Sequence, residues 1–159
     1  MKRLITILVF GCFSICALAQ KSKVPAPVGY INDFENVFSV QERKSLDSLV
    51  TAFEKVTTVE VAVVTLSGKY STKDGFDSLV TAIHNEWGVG KKEKNNGVLL
   101  AICNDYRKLR ISVGSGIITI LTDEEAKKII DIIIVPEFRQ QKFYEGTRKG
   151  LLAIIKELR

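Results

Sequence analysis

Trp87-Gly88-Val89-Gly90-Lys91-Lys92-Glu93-Lys94-Asn95-Asn96-Gly97-Val98-Leu99-Leu100-Ala101-Ile102 joins three kinds of backbone in one stretch. A helix ends at its start, a polar loop follows, and an apolar strand begins. Gly88 and Gly90 permit the sharp exit that a helix end needs. Asn95-Asn96-Gly97 is turn chemistry, because Asn tolerates left-handed backbone. Val98 to Ile102 is an unbroken apolar run, the pattern of a strand covered on both faces.

Upstream, Phe76, Leu79, Val80, Ile83 and Trp87 make one apolar helical face, and Ser71-Thr72-Lys73-Asp74 reads as its start, giving a helix over 73–87. Glu60 to Leu66 is short and β-branched, the signature of a buried strand. Strand 60–66, helix 73–87 and strand 97–103 thus form a right-handed βαβ unit with parallel strands. Downstream, Asn104-Asp105-Tyr106-Arg107 turns the chain into Leu109-Arg110-Ile111-Ser112-Val113, an alternating, antiparallel, half-exposed strand.

Helices flank this centre. Ser39-Val40-Gln41-Glu42 is a capping box opening a helix over 40–56, with Leu46, Leu49, Val50 and Phe53 on one face. Thr122-Asp123-Glu124-Glu125 opens another, in which Ile132 and Ile134 add apolar residues beyond one face and suggest burial on two sides. Pro136 is expected to end or bend it. A last helix covers about 142–157. Tyr30-Ile31-Asn32-Asp33-Phe34 reads as apolar anchors mixed with turn formers. The fold class is α/β, a three-layer α/β/α sandwich with a small mixed β-sheet and helices on both faces.

The chain has 159 residues, enough for one domain with a real core. Residues 1–19 read as a signal peptide: Lys2-Arg3, an apolar stretch from Leu4 to Ile15, and the cleavage site Ala17-Leu18-Ala19. The apolar run falls short of the roughly 20 residues that span a bilayer. A lipoprotein signal cut between Gly11 and Cys12 is an alternative that Val9 and Phe10 oppose. Cleavage after Ala19 removes Cys12 and Cys16, leaving Cys103 without a disulfide partner. It also lowers the net charge from +5 to +3, by removal of Lys2 and Arg3. The mature chain is expected to be exported, periplasmic or secreted, with no membrane span after signal removal. Residues 20–29, with Pro25 and Pro27, read as a flexible lead to a domain over 30–159. No basic stripe or reader motif marks a nucleic-acid binder.

Several chemistries are excluded by spacing. His84 is the only histidine, sits mid-helix and reads as structural or surface-exposed. No His/Cys spacing suits zinc. A Ser-His-Asp triad would have to use His84, and no nucleophile elbow is present. Gly90-Lys91-Lys92 follows a helix and precedes a strand, the reverse of a phosphate loop. Cys103 ends a buried strand and reads as core. What remains is oxygen-rich loop chemistry, suited to hard cations such as calcium or magnesium. Two clusters offer it. The hairpin returns Ser115 beside Asn95 and Asn96, while Ser67, Asn104, Asp105 and Arg107 lie at the far end of the strands. Ligands prefer the carboxyl ends of parallel strands, which favours the second cluster. Turn formation is the plainer role of both.

Taken together, Tyr30-Ile31-Asn32-Asp33-Phe34, Trp87-Gly88-Val89-Gly90-Lys91 leading into Asn96-Gly97-Val98-Leu99-Leu100, Arg107-Lys108-Leu109-Arg110-Ile111, Leu121-Thr122-Asp123 and Ile134-Val135-Pro136-Glu137-Phe138-Arg139 make the chain resemble the TPM domain family. The resemblance runs from about Tyr30 to Leu158. It implies an exported α/β/α domain and a mixed functional range, including acid phosphatase activity in a plant lumenal member, calcium or other divalent-ion binding, and receptor accessory roles. It favours the first cluster, with Asp33, Asn95, Asn96 and Ser115 as ligand-binding residues and Asp33 and Asn95 as metal ligands. Two departures remove acids at that end of the sheet: Asn95 stands where the family usually has Asp, and Ser115-Gly116-Ile117-Ile118 lacks the family's acidic residue; a third departure, in the hairpin turn, puts Tyr106 where the family often has Asp, while Asp33 is retained. The membrane helix and glycine-rich tail of many bacterial members are not expected after Arg159. Two functions follow: a non-catalytic or weakly active envelope accessory module that binds an envelope protein, or a divalent-cation-assisted acid phosphatase acting on a small phosphate ester.

Overall fold

The structure is a computed structural model and describes residues 24–159. Residues 1–19, which the sequence reads as a signal peptide, and residues 20–23 of the lead lie outside the described residues. Among the described residues, no helix is long and apolar enough to cross a membrane.

Four strands form one mixed sheet in the order β1-β2-β3-β4: β1 (Ile31–Asp33), β2 (Glu60–Thr65), β3 (Gly97–Cys103) and β4 (Lys108–Val113). The first three are parallel and β4 returns antiparallel, Val98 facing Val113 and Cys103 facing Lys108. All seven residues of β3 are buried, as its continuous apolar sequence requires of a central strand.

The sheet's alternation divides the core in two. Val61, Val63, Val98, Leu100, Ile102 and Ile111 face one side, against α1 (Val40–Thr57), α3 (Asp123–Lys128) and α5 (Phe143–Glu157). Ala62, Val64, Leu99, Ala101 and Cys103 face the other, against α2 (Phe76–Trp87). This is the expected α/β/α sandwich, with one helix on the second face. Ser39 and Glu42 close the capping box of α1.

Five local readings change. Ile31–Asp33 is a strand, paired Ile31 with Val63 and Asp33 with Thr65, rather than a mix of anchors and turns. At three residues it is too short to show a period. Helix α2 starts at Phe76; Thr72 instead closes a turn by accepting the Gly75 N–H at 3.2 Å. Beyond α3, Ile129–Ile134 is a π-helix that runs into α4 (Val135–Phe138). Its wider turn brings Ile129 and Ile134 to the core, while Ile132 is 70 % exposed, so burial on two sides does not occur. Pro136 sits in the first turn of α4, where its missing N–H is tolerated, so the rod does not end there. The lead from Val24 is also tied down: the Trp87 Nε1–H donates to the Pro25 carbonyl at 2.8 Å, and Val28 donates to Asn32 Oδ1 at 2.7 Å.

The opening stretch is held by backbone meeting backbone. A Cβ on Gly97 would lie 2.0 Å from the Val89 carbonyl oxygen, and one on Gly116 would lie 1.8 Å from that of Lys94. Gly97→Ala is therefore expected to cost about 3 kcal/mol or more of stability, at the upper end of overpacking penalties. Gly29→Ala, where nothing lies within 4 Å, should change little. Urea denaturation of the two variants checks the contrast.

Candidate functional site

The sheet has two poles. At the carboxyl ends of the parallel strands lie Asp33, Thr65, Cys103 and the loops that follow them. At the amino ends lie Glu60 and Gly97, the loop before Gly97, and the residues after Val113.

Asp33 belongs to the first pole, because it pairs with Thr65, which pairs with Ile102. Its side chain is 1 % exposed. Its carboxylate accepts the Val37 and Phe38 N–H groups at 3.0 and 2.9 Å and the Thr65 hydroxyl at 2.7 Å, with Arg43 at 3.5 Å. Those donors use both oxygens and fasten the turn after β1 to β2. Asp33 is thus separated from Asn95, Asn96 and Ser115 by the length of a strand, roughly 20 Å at about 3.3 Å per residue. The four-residue grouping expected from the family resemblance does not assemble. Without β1, the sequence offers no register to place Asp33.

The second expected cluster does gather at this pole, as an interlock of loops. Asp105 Oδ2 accepts the Gly68 N–H at 2.7 Å, and the Tyr106 hydroxyl donates to the Ser71 carbonyl at 2.9 Å. Ser67 lies at the start of the loop that Asp105 and Tyr106 fasten, its carbonyl accepting the Tyr70 N–H at 3.1 Å. Asn104 contributes its backbone N–H to Glu35 Oε1 at 3.1 Å. Arg107 closes the turn with φ +51°. Glu35 had no distinguishing signal in the sequence. Burial pushes its carboxyl up to about 7; the Asn104 N–H opposes this, and Asp105 and Asp33 add to it.

At the amino pole the hairpin does bring Asn95 and Ser115 together, as expected. The Gly116 N–H donates to the Asn95 carbonyl at 3.0 Å and the Gly114 N–H to the Gly97 carbonyl at 2.8 Å. Asn96 turns inward instead: it is 5 % exposed, accepts the Lys91 N–H at 2.9 Å and donates to the Thr58 carbonyl at 2.9 Å. It ties the loop to the end of α1.

Asn95 and Ser115 line a cleft of about 670 Å³ between the end of α2 and β4. His84, Lys91, Lys92, Arg110 and Ser112 line it too, and no carboxylate does. His84 Nδ1 and Ser112 Oγ are 2.9 Å apart. Burial, with Arg110 nearby, holds His84 below its ordinary value, towards the neutral imidazole. Lys91 pairs with Glu54, and Arg110 donates to the Asp77 carbonyl at 3.0 Å. Among the described residues Lys92 makes no hydrogen bond or ion pair. A cleft of this lining does not fit calcium or magnesium, which need several oxygen ligands including carboxylates. Among the described residues, no three His, Cys, Asp or Glu side chains gather to hold a metal ion at either pole.

Glu35 sets a pH dependence. Its folded pKa of about 7 exceeds the ordinary 4.5, so the folded chain keeps a proton that the unfolded chain has lost. Stability contributed by that proton is complete at low pH and is lost as pH rises through about 7. Urea midpoints of the wild type should fall from pH 5 to pH 8 relative to Glu35→Gln, which keeps an acceptor for Asn104 but cannot ionise.

Comparison with known proteins agrees with this architecture. The family model of the TPM domain matches residues 31–157. The solution structure of the N-terminal domain of a protein from P. gingivalis is 30 % identical, covers 81 % of each chain and has a TM-score of 0.71. BA42 from the psychrophilic bacterium Bizionia argentinensis is 25 % identical, with 79 % of this chain and 83 % of that one covered and a TM-score of 0.63. The N-terminal domain of a Corynebacterium glutamicum protein is 16 % identical, covers 86 % and 87 % and has a TM-score of 0.62, a likeness of fold alone. No curated protein matches the chain. With the family model spanning nearly all the described residues, the chain belongs to the TPM domain family.

Proposed function

We propose that this TPM domain is an exported, non-catalytic binding module of the cell envelope, whose amino-pole cleft holds an anionic group of its ligand. One observation carries the reading: Lys91, Lys92 and Arg110 line the cleft and no carboxylate does. Walls bearing one sign of charge concentrate ions of the other. The residue changes agree. By the family resemblance, Asn95 stands where the family usually has an acid, and Ile118 falls within the segment that lacks the other. Export is proposed from residues 1–19. An envelope protein or a small phosphate ester would supply the anion.

Inorganic phosphate is the first probe. It should raise the thermal midpoint of the purified protein, because a ligand bound only to the folded state stabilises it, by about 2.7 kcal/mol at 100 times Kd. Calcium should leave the midpoint unchanged. Lys92→Glu and Asn95→Asp should each weaken the phosphate response about tenfold, a loss of roughly 1.4 kcal/mol. A midpoint raised by calcium and not by phosphate overturns the reading.

A second reading, phosphomonoester hydrolysis, is supported by the 2.9 Å contact between Ser112 Oγ and His84 Nδ1 in the same cleft. That separation lies within the reach required of a nucleophile and its base. Asp33 has no part in it, being sealed at the other pole. Turnover of a phosphomonoester that Ser112→Ala abolishes would establish hydrolysis. Equal background rates in wild type and Ser112→Ala leave binding as the function.

A further inference from the structure

We propose that β4 is a self-association edge, pairing antiparallel with β4 of a second copy about a two-fold axis at Ile111. The backbone register carries the argument. The Gly114 N–H donates to the Gly97 carbonyl, and the Gly116 N–H to the Asn95 carbonyl. In an antiparallel ladder, hydrogen-bonded pairs alternate with non-bonded ones. With Leu99 opposite Ser112 and Ala101 opposite Arg110, residues 108, 110 and 112 therefore bond to β3. Leu109, Ile111 and Val113 aim their N–H and C=O groups outward. Among the described residues nothing receives them.

An open edge of six residues normally carries a defence. The opposite edge has one, since β1 is only three residues long. Lysine is the usual guard of a long edge, but here the cations of β4 are folded away. Lys108 pairs with Asp77 at 3.2 Å and lies over the Phe76 ring, and Arg110 donates to the Asp77 carbonyl. The edge lines a groove of about 600 Å³ together with Asp77 from one side and Ile118, Asp123, Ala126, Lys127, Ile130 and Asp131 from the other. Ile118 is 42 % exposed there.

A second copy fits this edge because β4 complements itself. With Ile111 opposite its own counterpart, Leu109 faces Val113 and all apolar side chains share one face. On the other face Arg110 meets Ser112 and Lys108 meets Gly114. No cation directly opposes a cation, although like charges opposite one another would disfavour pairing. Two four-stranded sheets become one continuous sheet. A stranger's strand would carry no such built-in match, so the occupant is a second copy.

The test is sedimentation equilibrium of the purified protein up to about 1 mM, where a Kd near that value still populates dimers, together with amide hydrogen exchange at low and high concentration. The expected result is a dimer whose formation slows exchange at Leu109, Ile111 and Val113 at least tenfold. The amides of Arg110 and Ser112 are already protected by β3. Leu109→Pro removes one outward N–H without touching the ladder to β3 and should weaken the dimer at least tenfold. Ile118→Lys, at an exposed wall position, should do the same and serves if the proline variant fails to fold. A monomer at every concentration overturns the proposal. So does a dimer in which the Leu109, Ile111 and Val113 amides exchange as fast as in the monomer.

Discussion

Three chain segments meet at the amino pole with no side chains between them, and the remaining geometry of that pole depends on this contact. The loop leaving α2, the start of β3 and the exit from β4 approach through Gly90, Gly97, Gly114 and Gly116. Cβ atoms at these positions would lie between 1.8 and 2.4 Å from a neighbouring backbone atom. Real side chains do not tolerate such distances. The approach lets the ladder between β3 and β4 continue past the sheet to Asn95 and Gly116. It also sets the width of the cleft, because Gly90, Asn95, Gly114 and Ser115 are all in its wall.

The long elements of this fold were legible because each carried a periodic or continuous apolar signal. The βαβ unit, the hairpin and the helices at 40 and 143 follow from spacing alone. Two of the differences, at β1 and at the π-helix, share a cause: the element is too short or too irregular for its period to show. Ile31-Asn32-Asp33 has three residues, and its strand character comes from pairing with Val63, Val64 and Thr65. The π-helix at Ile129–Ile134 has a pitch that a 3.6-residue template misassigns, and so Ile132 was placed inside. The error in β1 then carried into the site. With no register for Asp33, the family resemblance grouped it with residues at the opposite pole. Asn95 and Ser115 were grouped correctly because hairpin geometry alone determines their meeting.

The two poles use charge in opposite ways. Acidic groups dominate the carboxyl pole, but Asp33 and Asp105 spend their oxygens on backbone N–H groups and hold loops to strands. Such bonds to a charged acceptor are worth about 1.5–3 kcal/mol each, so these carboxylates act as fasteners. Glu35 accepts the Asn104 N–H on its carboxylate, and burial raises its proton affinity. At the amino pole the cations are less fully engaged. Lys91 is tied to Glu54, which is also bound by the Tyr30 hydroxyl at 2.5 Å, and the two donors lower the proton affinity of that carboxylate. Lys92 is left to act on whatever enters the cleft.

Strand β4 serves both regions through its alternation. Arg110 and Ser112 point to the α2 side and line the cleft, while Leu109, Ile111 and Val113 pack towards the larger core and present their backbone groups at the sheet edge. A strand's two faces and its edge are geometrically independent, so one six-residue segment can supply polar side chains to a ligand and main-chain groups to a second copy. The independence has a limit at Gly114. It closes the ladder to Gly97, lines the cleft and would face Lys108 across the two-fold axis. A side chain there would disturb the ladder, the cleft and the edge together, since its Cβ would sit 2.1 Å from the Asn95 carbonyl oxygen. Coupling between ligand and self-association would therefore have to pass through the backbone at this residue rather than through the side chains on either face.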